Sequence, residues 1–156
     1  VNEQEAAVRI LDTLLGHLGV AATVDREEGA GGPCLQIRTT EGRLLTGRDG
    51  ERLDDLQYLV NRILLRQFPQ AARVRVDCEH FRSMREDMMA GEVREIAERV
   101  KATGRPHQLR PLNAYYRRLV YGILSADPGI ETKSPEGEQR LKRITISAKH
   151  PPQAGS

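Results

Sequence analysis

Leu44-Leu45-Thr46-Gly47-Arg48-Asp49-Gly50-Glu51-Arg52-Leu53-Asp54-Asp55-Leu56-Gln57-Tyr58-Leu59-Val60-Asn61 is the stretch on which the fold reading turns. Leu53, Leu56, Leu59, Val60, Ile63 and Leu64 recur at helical spacing, which predicts an amphipathic helix over 51–67. A Gly-x-x-Gly loop stands between that helix and an apolar turn over 42–46. Glycines there let the backbone approach a ligand without a Cβ in the way. The helix that follows directs its free N–H groups and positive dipole end at the same gap, which favours an anion such as a phosphate. Arg48 adds a mobile charge, and Arg52 lies just inside the helix. The loop lacks Gly-Lys-Ser/Thr and is no GxGxxG, which excludes two common nucleotide-binding loops. Most isolated Gly-x-x-Gly pairs are only turns; the placement carries the inference.

Working outward, Ala7, Ile10, Leu11, Leu14, Leu15 and Leu18 predict a helix over 3–18, stopped by Gly19. Val20, Ala22 and Val24 alternate as in a half-buried strand, and a glycine-rich hairpin loop is expected over 27–33. The returning strand covers Leu35, Ile37 and Thr39. After the 51–67 helix, residues 73–78 form a third strand, with Val74, Val76 and Cys78 on one face and Arg73, Arg75 and Asp77 on the other. The first half thus reads α-β-β-(short turn)-α-β. A long helix over 81–103 follows, closed by Gly104-Arg105-Pro106, with (i, i+4) pairs Arg94–Glu98 and Glu95–Arg99 expected on its wet side. Met84, Met88 and Met89 on it are expected to pack against a domain. A short strand over 107–112, a helix capped by Asn113 and running through Leu124, and strands over 129–134 and 142–147 complete the chain. A turn over 135–138 separates the last two. The class is α+β in two small modules, 1–78 and 105–148, joined by 79–104, with a disordered tail at 149–156.

Composition limits what such modules do. At 156 residues, each half has a small core. Residues 1–78 carry ten Arg against twelve acids, and 79–156 carry fourteen Lys plus Arg against ten. The basic excess therefore sits in the second half, and most of the chain's cations are Arg, whose planar fork suits phosphate. Charge alone supports a nucleic-acid partner only weakly. No apolar run approaches the roughly 20 residues that span a bilayer, and the amino end is acidic where a signal peptide is basic. No membrane insertion and a cytoplasmic setting are expected. The chain opens on Val1, so an upstream segment is expected. Cys34 and Cys78 fit buried strand thiols, and His17, His80, His107 and His150 lie too far apart in sequence for a metal motif. Neither a metal, a cofactor nor a catalytic nucleophile is indicated.

The 44–61 stretch resembles the KH domain of the Jag (SpoIIIJ-associated) family of bacterial RNA-binding proteins. Val74-Arg75-Val76-Asp77 and Phe81-Arg82 resemble the family's passage into its second domain. Gly104-Arg105-Pro106 and Pro111-Leu112-Asn113-Ala114-Tyr115-Tyr116-Arg117-Arg118 resemble the start of its R-3-H domain. The likeness covers essentially the whole chain, without the family's amino-terminal segment. It implies single-stranded RNA, or single-stranded DNA, held non-catalytically by Gly47, Arg48, Asp49, Gly50 and Arg52. Helix 51–67 and strand 35–39 would wall the base groove. The Arg of the R-3-H pair falls on Arg117, and its His position holds Tyr121, which can stack on a base but carries no cation near neutral pH. Arg118, Arg140, Lys142 and Arg143 extend that face. Asp49 also departs from the pattern and is expected either to cap the 51–67 helix or to weaken the loop. The resemblance further implies a post-transcriptional role linked to cell elongation and division, with a small KH-domain protein or a second copy as partner. The rival reading is a protein-interaction scaffold with weakened RNA binding.

Overall fold

A computed structural model describes residues 1–29 and 31–150. Its element order is α1 (Glu3–His17), β1 (Thr23–Gly29), β2 (Gly32–Arg38), α2 (Gly42–Thr46), α3 (Glu51–Gln67), β3 (Arg75–Cys78), α4 (Phe81–Thr103), β4 (His107–Gln108), α5 (Ala114–Leu124), β5 (Ile130–Lys133) and β6 (Thr145–Ala148). The chain divides into two compact units, Val1–Arg85 and Glu86–Ser156.

In the first unit, α1 opens with a capping box. The Asn2 side chain accepts from the Glu5 N–H, and the Glu5 carboxylate accepts from the Asn2 N–H. Two otherwise orphaned donors are thereby satisfied. The sheet order is β1-β2-β3, antiparallel then parallel. Leu11 and Leu15 of α1, Leu53, Val60 and Leu64 of α3, and Leu35, Ile37 and Val76 of the sheet form the core, all at most 1% exposed. Truncating any of these leucines to Ala should cost about 2–5 kcal/mol.

Two sequence expectations are corrected here. Most of the 27–33 segment is strand: Glu27 pairs with Cys34, Glu28 with Pro33 and Gly29 with Gly32. Pro33 is tolerated because the β3 ladder begins only at Cys34. β2 is the central strand, and its Leu35, Gln36 and Ile37 are buried. Asp77, expected on the outward face of β3, is buried at 4%. Its carboxylate accepts from the Cys78 and Arg82 N–H groups and from the Gln36 amide. It thereby fixes the turn into α4, where Glu79 and His80 take positive φ of 50° and 57°.

The outer edge of β3 is closed by α3. Asn61 donates to the Val74 carbonyl and accepts from its N–H, both at 2.8 Å, and Gln57 accepts from the Val76 N–H at 3.0 Å. Side chains thus take the place of a neighbouring strand, one way proteins blunt a sheet edge.

The second unit has the sheet order β4-β6-β5, all antiparallel, with an isolated bridge between Leu112 and Lys142. The strand expected over 107–112 is therefore two short pairings, broken around Pro111, which has no N–H to donate. The last strand begins at Thr145, so its connection to β5 is longer than the expected 135–138 turn. Met89, Val93, Ile96, Ala97 and Val100 of α4 pack with Tyr116, Val120 and Leu124 of α5 and with Ile130, Ile144 and Ile146. Most of α4 is thus a wall of this unit, whereas Phe81 at its start packs on the first core. Met84 and Met88 are exposed. Glu98 pairs with Lys101 at 2.7 Å, and Lys101 also reaches Asp127 at 2.8 Å; among the described residues these take the place of the expected Arg94–Glu98 pair. Of the tail expected at 149–156, residues 151–156 lie outside the described residues.

Candidate nucleic-acid interface

The Gly47–Gly50 loop links α2 to α3, and both glycines are required by the backbone. Gly47 has φ +62°, and a Cβ there would lie 2.6 Å from the Glu51 carboxylate. Gly50 has φ +82°, and its Cβ would meet the Phe81 ring at 3.3 Å. Gly50 is the N-cap residue of α3 and contributes no side-chain hydrogen bond. The expectation that Asp49 caps the helix is therefore corrected. Its carboxylate instead accepts from the Arg85 guanidinium, at 2.8 and 3.2 Å, in a partly buried ion pair. The acid at this position is thereby turned toward α4 and matched by a cation.

The carboxylate that does serve the loop is Glu51. One of its oxygens accepts from the Arg48 N–H at 3.2 Å and the other from the Asp49 N–H at 2.9 Å. These backbone hydrogen bonds hold the Glu51 carboxyl below its ordinary value. Two successive N–H groups converging on one anion form a concave nest of the kind that also takes phosphate. Sequence reading missed this role. The three-residue spacing from Arg48 to Glu51 is that of a capping box, but Arg48 is not a capping residue, so the pattern gives no warning. Arg48 itself is exposed, and Arg52 donates to the Leu44 carbonyl at 2.9 Å, tying the start of α3 to α2. Arg82, also missed, is largely buried and joins Asp54 at 2.7 Å to the Val76 carbonyl at 2.9 Å.

In the second unit, Asn113 caps α5 by accepting from the Tyr116 N–H. Arg117 is half-buried, and its Nη1 donates to the Leu112 carbonyl at 2.6 Å and the Arg140 carbonyl at 3.4 Å. It thus clasps the two segments joined by the Leu112–Lys142 bridge. Tyr121, one turn on, packs against the core as a half-buried ring. Arg118 is exposed, with its Nε 3.4 Å from the Ala114 carbonyl. Arg143 is exposed with Nη1 3.5 Å from the Leu109 carbonyl, and Lys142 is half-buried. Arg117 and Arg140 are brought together; the loop residues 47–52 belong to the other unit.

The remaining reactive groups are muted. Burial pushes the Cys78 thiol up to about 11, and it raises Cys34 as well. Among the described residues no group of His, Cys, Asp or Glu is placed to hold a metal, and no helix is long and apolar enough to cross a membrane.

Against known proteins, residues 89–148 match the R-3-H domain family. The match begins within α4, at the first of its residues buried in the second core. A Bacillus subtilis (strain 168) protein named RNA-binding protein KhpB is 33% identical over 151 residues, which cover 96% of this chain and 72% of that protein. The chain belongs to the KhpB (Jag) family. A KhpB protein of Clostridium symbiosum is 29% identical over 94% of this chain, and one of Streptococcus pneumoniae (strain D39) is 24% identical over 87%. The chain spans 66% and 41% of the lengths of these two. As a KhpB-family chain it carries an R-3-H domain, whose matched residues include Arg117 and Tyr121.

Proposed function

We propose that this chain binds single-stranded RNA without catalysis, through a KH domain in its first unit and the R-3-H domain in its second. The observation that carries the reading is the pair of Arg48 and Asp49 N–H groups already converged on an anion. Support comes from the placement of the loop between two helices of a three-stranded unit and from relatives named for RNA binding. A phosphate would enter by exchange with the Glu51 carboxylate, which is exposed and can swing outward. Arg48 would then approach the same phosphate, and the missing Cβ of Gly47, whose place the Glu51 carboxylate now takes, would admit the strand's backbone. In the second unit, Arg118, Arg140 and Arg143 are the exposed cations that would extend the contact, with Arg117 holding their frame and Lys142 beside it. A post-transcriptional role linked to bacterial cell elongation and division, a cytoplasmic location, and a small KH-domain protein or a second copy as partner complete the proposal.

A second reading, a protein-interaction scaffold with weakened RNA binding, is favoured by one feature: the loop amides are occupied by the chain's own Glu51. Fluorescence anisotropy with an unstructured RNA oligomer separates the two. Three to five phosphate contacts predict a log–log salt slope of about −2 to −3.5. Absence of saturable binding at low salt overturns the RNA reading and leaves the scaffold.

A further inference from the structure

The Gly47–Gly50 loop is flanked by too many acids to attract an anion unaided. Between Gly47 and Asp55 two arginines, Arg48 and Arg52, stand against Asp49, Glu51, Asp54 and Asp55. The balance is corrected from the first residues of α4, within the unit that ends at Arg85. The Phe81 ring lies 3.3 Å from where a Gly50 Cβ would stand. Arg82 pairs with Asp54 in the first turns of α3 at 2.7 Å. Arg85 closes on Asp49, its Nη2 at 2.8 Å and its Nε at 3.2 Å from the same carboxylate oxygen. The Arg85 and Asp49 side chains are only 21% and 24% exposed, so water and salt screen this pair less than a surface one.

We infer that Arg85 is a positioning residue for the loop, holding the Asp49 carboxylate out of the path of an incoming phosphate. The inference rests on the reading of the loop as an RNA contact and adds what sets the loop's charge. Asp49 has two opposed parts. Its N–H donates to the anion that the loop holds, now the Glu51 carboxylate, whereas its own carboxylate would repel a phosphate at that place. Released from Arg85, that carboxylate would also compete with the phosphate for Arg48 and the loop amides. Arg85 directs two donors at one Asp49 oxygen, so it acts on the phosphate through Asp49 and not by touching it. The loop's preference for an anion therefore depends on the start of α4, which lies beyond the last strand of its sheet.

A double-mutant cycle tests this, with anisotropy against a uridine oligomer at low salt and thermal melts of the same full-length chains. Arg85→Gln should weaken binding about fivefold, because it uncovers a carboxylate beside the phosphate. Asp49→Asn alone should bind about twofold more tightly, and Arg85→Gln/Asp49→Asn should return to within about twofold of the parent. Both chains with Arg85→Gln lack the ion pair and should melt alike. Recovery of binding without recovery of stability thus separates positioning from support of the fold. A loss that persists in the double variant overturns the inference, since Arg85 would then act independently of Asp49; so does an Arg85→Gln chain that binds like the parent. Where circular dichroism shows Arg85→Gln unfolded, the reversed pair Asp49→Arg/Arg85→Asp replaces it. Binding tighter than the parent's upholds the inference, and binding no tighter overturns it. Arg48→Asp keeps the two readings apart. A loss there with none in Arg85→Gln retains the loop and sinks the inference alone, whereas no loss there sinks the loop and the inference with it. A parent chain that binds no RNA overturns both.

Discussion

The Gly47–Gly50 loop and the Arg117–Tyr121 turn are both short motifs with a basic residue at a helix start, yet their chemistry diverges. In the loop the arginine is exposed and the backbone donors converge on the exposed Glu51 carboxylate. On α5 the arginine is drawn inward by two carbonyl oxygens, and the aromatic ring one turn away packs on the core. Whether a cation is available to a ligand is decided by which acceptors the fold leaves unsatisfied around it. A motif's letters do not carry that information.

Substitutions can break this contrast in four ways. Arg117→Ala removes charge-assisted hydrogen bonds to two carbonyls and should cost about 2 kcal/mol of stability in the R-3-H unit, read by denaturant unfolding. Its effect on RNA affinity should be small by comparison; a large affinity loss with stability intact would place Arg117 on the ligand. Glycine substitutions should differ in sign. Gly50→Ala forces a side chain into positive φ against Phe81 and should destabilise by about 1–2 kcal/mol, whereas Gly122→Ala, in open space on α5, should stabilise by about 0.5–1 kcal/mol. Parallel thermal melts check both.

Arg48→Asp should leave stability unchanged and weaken RNA binding roughly tenfold at low salt, since it removes one phosphate contact and adds a repulsive charge. A change at Arg94, on the wet side of α4, should do little; equal effects would show that the loop is not the site. The smallest expected effect is the most telling. Glu51→Gln leaves a neutral and weaker occupant in the nest, so RNA should bind a few-fold more tightly. The Glu51 carboxyl is held below its ordinary value of 4.5 in the folded chain. Its contribution to stability is therefore present above that value and is lost as pH falls through the lowered one. Melting temperatures of Glu51→Gln should accordingly fall less steeply than the parent's below pH 4.5.

Much of this architecture was legible in the residues. Helical spacing placed α1, α3 and α5 within a residue or two, and the Gly-x-x-Gly context located the loop. Local pattern failed where a side chain answers to a distant backbone. Asp77 alternates like a surface residue but is buried because the β3–α4 turn needs an acceptor there. Asp49 sits where a cap belongs, and it pairs with Arg85, which the sequence places 36 residues away. Asn61 and Gln57 look like ordinary helix residues, and only the open edge of β3 gives them work. Charge pairs on α4 followed spacing less than reach, since Lys101 collects both Glu98 and Asp127.

The central claim is that RNA phosphate replaces Glu51 on the Arg48 and Asp49 amides. A titration of the ¹⁵N-labelled chain with a uridine oligomer, followed by ¹H–¹⁵N correlation spectra, tests it most directly. The amide signals of Arg48 and Asp49 should move with the added RNA and saturate together with binding measured by anisotropy. Those of Arg117 and Tyr121 should move less. Saturable binding that leaves the Arg48 and Asp49 signals in place would contradict the account.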